Sequence, residues 1–403
     1  MHRLGGLLVL AIGALSGCST SQVLLPHRTE LALSDRPVSE ELLLDVGIEV
    51  FDPGVPEGEL DTAVQEKLLE EGVFVHIRRV EAVHMAVQLR KTMQRSGHWG
   101  SVWITPDEAM SADVMVDATI LQSDGYIVRA DVRVYDAQGH TWIDKRYELE
   151  TAASAYDRES NPGLDPYQDL YNSIANDIAA VRGKLSNANV ESIKTVGVLR
   201  YAQDLSPAAF HGYLAERRGE YSVKRLPARD DPMLEKIERV MQRERLFVEI
   251  LDLHYEDFAR TAGSSYDSWR EYAREEAITL TDLTRSARWR TGLGIAAILA
   301  SLAFSGGADS GAFMDSSATQ GLMLTGSALF DMAALDLRDK EVHAAQLEEL
   351  SMSFDDEAAP IVVEIEGVEH RFVGAAKEQY AELRNRLRRV LAEERGLQTT
   401  TTP

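Results

Sequence analysis

Cysteine is nearly missing from this chain: 403 residues hold one, Cys18. No internal disulfide can form, so the fold must rest on its hydrophobic core. Positive charge is also short. Lys and Arg number 42 against 65 Asp and Glu, a net charge of −23. That balance argues against nucleic acid or an anionic lipid surface as a main partner. The plain reading of the acidity is that it keeps the body soluble. Long apolar runs are missing too. Gly292 to Ser305 (GLGIAAILASLAFS) is apolar or small on every side. As a helix it would rise about 21 Å, short of the ~30 Å hydrocarbon core. There is no internal repeat.

Catalytic signatures are equally scarce. Gly292, Gly294 and Ala297 match G-x-G-x-x-A, but Arg288-Trp289-Arg290 precedes them in place of a strand, and the run that follows is apolar. Neither Ser310 nor Ser327 sits in G-x-S-x-G. The ten histidines are scattered and form no H-E-x-x-H. Asp252, His254, Glu256 and Asp257 are close in sequence. Helical spacing places His254 on the apolar stripe and turns the acids away from it, a half-exposed face and not a metal site. Asp157 to Asp165 has the look of a calcium loop, but Pro162 stands at the obligatory glycine and Gln168 at the bidentate acid. Asp355-Asp356 needs a cleft before it means acid–base work. The expectation is no catalytic residue, no cofactor and no metal.

What is present begins at the N-terminus. Met1-His2-Arg3 is a positive start, Leu4 to Ala14 is apolar, and Leu15-Ser16-Gly17 places small residues before Cys18. A charged start, a short apolar stretch and a small-residue cleavage site make a secretory signal over residues 1–17. With cysteine directly after that site, the stretch resembles the bacterial lipoprotein signal. The resemblance implies that Cys18 becomes the first mature residue, carrying a diacylglycerol thioether and an amide-linked acyl chain. One buried chain holds a protein only marginally, at about 0.8 kcal/mol per methylene; several hold it permanently. Ser19 stands where Asp favours inner-membrane retention in enterobacterial lipoproteins. It therefore reads as an outer-membrane address on the periplasmic side.

Residues 18–41 contain Pro26 and Pro37 and read as a lipidated tether, reaching about 25 Å as a coil. From Leu42 the pattern is regular. Leu44, Val46, Ile48 and Val50 alternate with polar residues as a strand. Ala82, Ala86, Leu89 and Met93 predict a helix over 78–96, stopped by Gly97. Gly100 to Thr105 is a short strand. Val114 to Ile120, Val128 to Val134 and Thr141 to Leu149 form a meander, joined by turns at Asp124-Gly125 and Asp136 to Gly139. Asp165-Pro166 opens a helix with Leu170, Tyr171, Ile174 and Ile178 on its buried stripe. The segment "ADVMVDATILQSDGYIVRADVRVYDAQGHTWIDKRYE" is similar to the sheet region of certain periplasmic α/β domains. These are the N-terminal domain of the Tol-system propeller protein, the outer-membrane activators of peptidoglycan synthases and the curli secretion lipoprotein. The shared features are Ala112-Asp113, the Asp124-Gly125 turn, and Asp136 and Gly139 before Trp142. The resemblance spans 42–186 and implies a binding domain without catalytic residues; no functional residue carries over by position.

Residues 187–396 read as a mainly helical domain. Asp231-Pro232 caps a helix ended by Gly263, and Ser264-Ser265 opens another. Arg217 to Arg229 is a basic loop. Gly292 to Leu335 is an apolar helical hairpin, and residues 360–373 a β-hairpin turning at Glu366-Gly367. A last helix runs over 375–395, with Ala376, Tyr380, Leu383, Leu387 and Val390 on one side. Residues 397–403 form a frayed tail. The fold class is α+β: an N-terminal mixed or antiparallel sheet with helices on one face, then a mainly helical region with a small C-terminal β-hairpin. The leading functional expectation is a non-catalytic outer-membrane lipoprotein. Its partners would be the bilayer, through acylated Cys18, and envelope proteins, with no nucleic acid. Two alternatives remain open. One is a secretion or transport component forming a homo-oligomer through the 292–335 hairpin. The other is an envelope enzyme whose site is built from distant residues.

Overall fold

The computed structural model describes residues 21–24, 29–35, 38–56, 60–70, 72–106, 111–159, 161–228, 230–291, 361–365, 368–372 and 375–393. Cys18, the runs Gly292 to Ser305 and Ala318 to Leu335, Ser310, Ser327, Asp355-Asp356 and the tail 397–403 lie outside the described residues. The class is α+β.

Six strands build the main sheet: β1 (Ser21–Leu24), β2 (Val46–Glu49), β3 (Val102–Thr105), β4 (Val114–Ser123), β5 (Ile127–Asp136) and β6 (Thr141–Glu150). Their order is β1-β6-β5-β4-β2-β3. The meander β4-β5-β6 is antiparallel, while β1 on β6, and β2 on both β4 and β3, pair in parallel. Between β2 and β3 run α1 (Thr62–Glu70) and α2 (Val75–Ser96), and after β6 comes α3 (Gln168–Arg182). Period-2 alternation makes β5 two-faced. Val128, Ala130, Val132 and Val134 are buried, facing α2 and α3 with Val116, Ala118, Ile120, Tyr147 and Leu149. The opposite face is a charge ladder: Arg129 to Glu148 at 2.7 Å, Arg146 to Asp131 at 2.6 Å, Arg133 to Asp117 at 3.0 Å. Opposite charges directly across a ladder stabilise it and keep this face wet.

Gly125, in the β4–β5 turn, has φ +80°, and a Cβ there would lie 2.1 Å from the carbonyl oxygen of Arg270. The glycine is required twice, by the turn and by the approach of the next long element.

The second half carries α4 (Asn187–Leu205), α5 (Pro207–Phe210), the antiparallel pair β7 (Leu214–Arg217) and β8 (Glu220–Val223), and α6 (Pro232–Thr291). Strands β9 (Ile361–Ile365) and β10 (Val368–Phe372) pair antiparallel, and α7 spans Ala376–Glu393. The expected C-terminal hairpin and last helix are both present. Tyr380, Leu383, Leu387 and Val390 of α7 are buried. One hydrophobic cluster runs through both halves, from Leu44 of the sheet region to Leu391 of α7.

Four expectations need correction. Gly263 does not end a helix: α6 is one helix of 60 residues. A helix-interior glycine costs only about 1 kcal/mol. Ala262 and Tyr266, both fully buried, hold the chain in place on either side of it. The basic loop Arg217 to Arg229 is in part strand, since Arg217 ends β7 and Glu220 to Val223 form β8. Its basic residues use aromatic faces: the Arg225 guanidinium lies 4.1 Å from the ring centre of Tyr213. Helix α2 is not one-sided. It begins at Val75, and Arg78, Glu81, His84 and Arg90 are buried as well as the apolar stripe, because α2 packs on the sheet, α3 and α6 together. The N-terminal segment is not free coil throughout. Ser21 to Leu24 pair with Lys145 to Glu148, and Thr29 to Ser34 docks on α3 and the end of α2.

One sheet edge is thereby covered by a helix, and the other is the short strand β1. β1 caps β6, and α6 lies along β3, where the Ile104 amide donates to Asp252 Oδ1 at 3.0 Å. With the Ile104 amide bound and α6 lying along it, β3 is blocked from pairing with a foreign strand.

Candidate functional site

Three stations of buried charge lie along α6, and each joins this helix to elements far away in sequence. The deepest station lies where α2, the β4–β5 turn, the start of α3 and α6 meet. Arg270 is fully buried. Its guanidinium grips Asp165 with two bonds of 3.0 and 2.9 Å, and also binds Asp267. It lies 4.2 Å from the ring centre of Tyr266 and 4.8 Å from that of Tyr167. His84 Nε2 meets the same Asp165 carboxylate at 2.7 Å. Burial alone would raise the Asp165 carboxyl, but the charge of Arg270 and the hydrogen bond from His84 outweigh it and hold it well below the usual range. For Arg270 burial opposes the charge, and Asp165 more than restores it.

Beside this pair sits Glu81, fully buried, accepting from Ser123 Oγ and Tyr266 Oη. Burial pushes its carboxyl up against the opposing pull of Arg78, Ser123, Tyr266 and Arg270. The Tyr167 hydroxyl bridges Ser123 Oγ at 3.0 Å and accepts from the Gly125 amide at 3.2 Å. The station thus welds the β4–β5 turn to α2, α3 and α6.

The middle station pairs α2 with α6. Arg90 binds Asp252 with one nitrogen and Glu256, at 2.8 Å, with another, while Lys91 reaches Glu256 at 3.0 Å. Burial raises the Asp252 carboxyl, and Arg90 opposes it. The third station joins α4, α6 and α7. Fully buried Glu244 accepts from Tyr201 at 3.0 Å, Tyr380 at 2.9 Å and Arg384 at 2.7 Å. Arg384 and Arg388 also share Asp204.

The residues singled out by sequence are distributed accordingly. Asp165 does not cap α3, which begins at Gln168. Its Oδ1 does accept the Tyr167 amide at 2.8 Å, but the carboxylate serves chiefly as the counter-ion of Arg270. That also takes it out of the calcium-loop pattern. In the quartet on α6 the assignment reverses. Asp252 is buried and engaged, whereas His254 is half-buried and Asp257 exposed, so the four do not converge. Asp231 does cap α6, accepting from the Met233 amide at 2.9 Å. Among the described residues no three His, Cys, Asp or Glu side chains stand together in a metal-ligating group, and no helix is long and apolar enough to cross a membrane.

Sequence reasoning missed Arg270, Glu81, Arg90 and Glu244. No local spacing announces them, because their partners lie 105 (Asp165), 185 (Tyr266), 162 (Asp252) and 140 (Arg384) residues away. The usable signal was charge at helix positions that belong to an apolar stripe. Arg270 stands four positions after Tyr266, and Glu81 sits between Val80 and Ala82.

Chemically, these arrangements are locks. Each buried charge meets an opposite charge or several donors, which is how a long helix is held in one register. No family model matches the chain, and no curated protein and no solved structure matches it.

Proposed function

We propose that this chain is a non-catalytic outer-membrane lipoprotein facing the periplasm, acting as a protein-binding or assembly factor in the cell envelope. One observation carries the reading: the sole cysteine stands at Leu15-Ser16-Gly17-Cys18, directly behind an apolar signal. Acyl chains on that sulfur would supply the anchor, since several chains bind a bilayer essentially permanently. The body supports the reading in two ways. Its net charge of −23 disfavours an anionic membrane face or nucleic acid as a docking surface. Its deepest ionisable groups, Glu81, Asp165, Arg270 and Glu244, are engaged with one another's elements, as positioning groups are.

Metabolic labelling with an alkyne palmitate, followed by fractionation of outer and inner membranes, tests the anchor. The natural chain should carry label and sediment with the outer membrane. Cys18→Ser should lose the label. Label that persists in Cys18→Ser, or a natural chain that is exported unlabelled, would remove the reading. Photo-crosslinking in intact envelopes then tests the binding role; turnover of an envelope substrate abolished by a single polar substitution would replace it with catalysis.

A further inference from the structure

Along α3, four polar residues form one stripe: Asp169, Asn172, Ser173 and Asn176. They are bound to the chain's own N-terminal arm, chiefly to its main chain. The Thr29 amide donates to Asp169 Oδ1 at 2.9 Å, and Asn172 Nδ2 donates to the Thr29 carbonyl at 2.7 Å. Asn176 then works in both directions. Its Nδ2 donates to the Glu30 carbonyl at 2.8 Å, and its Oδ1 accepts the Ala32 amide at 2.8 Å. The Ser34 amide continues to the Ser96 carbonyl at 2.8 Å.

The spacing explains why these side chains match. Asp169 and Asn176 are seven residues apart on a helix, a rise of about 10.5 Å. Thr29 and Ala32 are three residues apart, about 10 Å if extended. A side-chain amide offers a donor and an acceptor in one plane, so Asn176 binds a peptide backbone as a neighbouring strand would. Little of the arm's own sequence is read. Glu30, Ala32 and Leu33 are exposed, Leu33 at 60 %. Only Leu31 packs on the core, and the Thr29 hydroxyl meets Ser173 Oγ at 3.3 Å.

We propose that this stripe is a binding site for an extended peptide with a hydroxyl residue two positions before an apolar one. The chain's own arm occupies it in cis, and an extended segment of a partner protein exchanges with the arm. That the partner is an envelope protein rests on the reading above; the chemistry of the groove does not. A covalently linked arm has an effective concentration on the order of millimolar, so exchange requires a partner segment that binds better or an arm that is pulled away.

The probe is a fluorescein-labelled synthetic peptide of residues 27–35, HRTELALSD. It is titrated by anisotropy into the natural full chain and into the full chain with Leu31→Asp and Ala32→Pro. These changes remove the arm's apolar anchor and its Asn176-bound amide without altering the groove. The arm-released chain should bind the peptide at least about tenfold more tightly than the natural chain, whose groove is held. Adding Asn172→Ala and Asn176→Ala should abolish that gain. Because those variants could lose binding by misfolding, the peptide carrying Ala32→Pro provides a control on the ligand side, and it should bind at least roughly tenfold more weakly. A peptide with Glu30, Ala32 and Leu33 replaced by Ser should bind within about threefold of the parent, since those side chains face solvent. Hydrogen exchange at the Thr29 and Ser34 amides, which are bound to Asp169 and the Ser96 carbonyl, reports whether the arm is off. An arm that stays protected in the variant, or a released arm without peptide binding, overturns the proposal. The assay is in solution, so its failure leaves the lipid anchor untouched.

Discussion

Replacing Arg270 by Met tests the strongest lock in the molecule. The guanidinium is fully buried and makes two of the bonds to Asp165, which is itself almost completely enclosed. Removing one partner of such a pair leaves a charge in a dry site and typically costs about 3–5 kcal/mol. Two features place the loss at the lower end. His84 still meets Asp165 at 2.7 Å, and Met keeps much of the side-chain volume against Tyr266 and Tyr167. The expected cost is therefore about 3 kcal/mol. Asp165→Asn alone leaves the buried cation with Asp267 as its one remaining counter-ion and should cost about 2–3 kcal/mol. The double variant removes both charges and should lie within roughly 1.5 kcal/mol of the natural chain, because an apolar or neutral pair replaces a buried ion pair at little net cost. Urea denaturation at pH 7, followed by tryptophan fluorescence, to which buried Trp269 one position away contributes, gives the numbers. With a slope of about 3 kcal/mol per molar, each single change moves the midpoint down by roughly 1 M. Costs below about 1 kcal/mol for Arg270→Met, or two single costs that simply add in the double variant, would refute the assignment of this pair as a coupled lock.

Asp113 offers a test in pH. Burial first of all, with the charge of Asp45 adding to it, pushes its carboxyl up to about 6. The native state then holds a proton that the unfolded chain has released, so stability falls as pH rises from about 4 to about 6. Asp113→Asn keeps an acceptor for the Asp45 amide and should flatten that slope. Its gain over the natural chain should be absent at pH 4 and on the order of 3 kcal/mol at pH 7; equal stabilities at pH 7 would sink the idea. Glu244→Ala strips the shared acceptor from Tyr201, Tyr380 and Arg384. It should cost about 3 kcal/mol and raise hydrogen exchange in α7 well above that in β4 and β5; a uniform rise across the molecule would count against it. Gly125→Ala meets both the left-handed conformation and the Arg270 carbonyl. A loss of at least about 2 kcal/mol in thermal unfolding is expected, and one under 0.5 kcal/mol would show that the turn can move away from α6.

What was legible in the sequence was local. The alternation from Val128 to Val134, the Asp124-Gly125 turn and the stripe Tyr380, Leu383, Leu387 all follow from periods of two or 3.6, and the molecule uses them as written. The errors arose where a distant partner overrules a local preference. Gly263 is a stop signal in isolation, yet Ala262 and Tyr266 pack on the body and carry the helix through. Asp165 has the spacing of a cap, but an arginine 105 residues away claims it. His254 belongs to the apolar stripe by counting, and Asp252 displaces it because the Ile104 amide at the β3 edge and Arg90 both need a carboxylate there. Beyond a charge placed within an apolar stripe, a buried pair leaves no sign of its partner in one dimension, since neither member is buried until the other arrives.

The single span of α6 decides what can be made in pieces. It is about 90 Å of unbroken helix, and it supplies the counter-ion or donor that α2 and the turn before α3 await: Arg270 for Asp165, Tyr266 for Glu81, Asp252 for Arg90. A polypeptide ending near residue 187 would have the complete sheet and helices α1, α2 and α3. It would also carry stranded charges at the very surface those helices present, and a β3 edge with the Ile104 amide open. During synthesis from the N-terminus, that half emerges first and must wait some hundred residues for its cover. The interval before α6 arrives is therefore when the molecule is most open to aggregation and most in need of a chaperone.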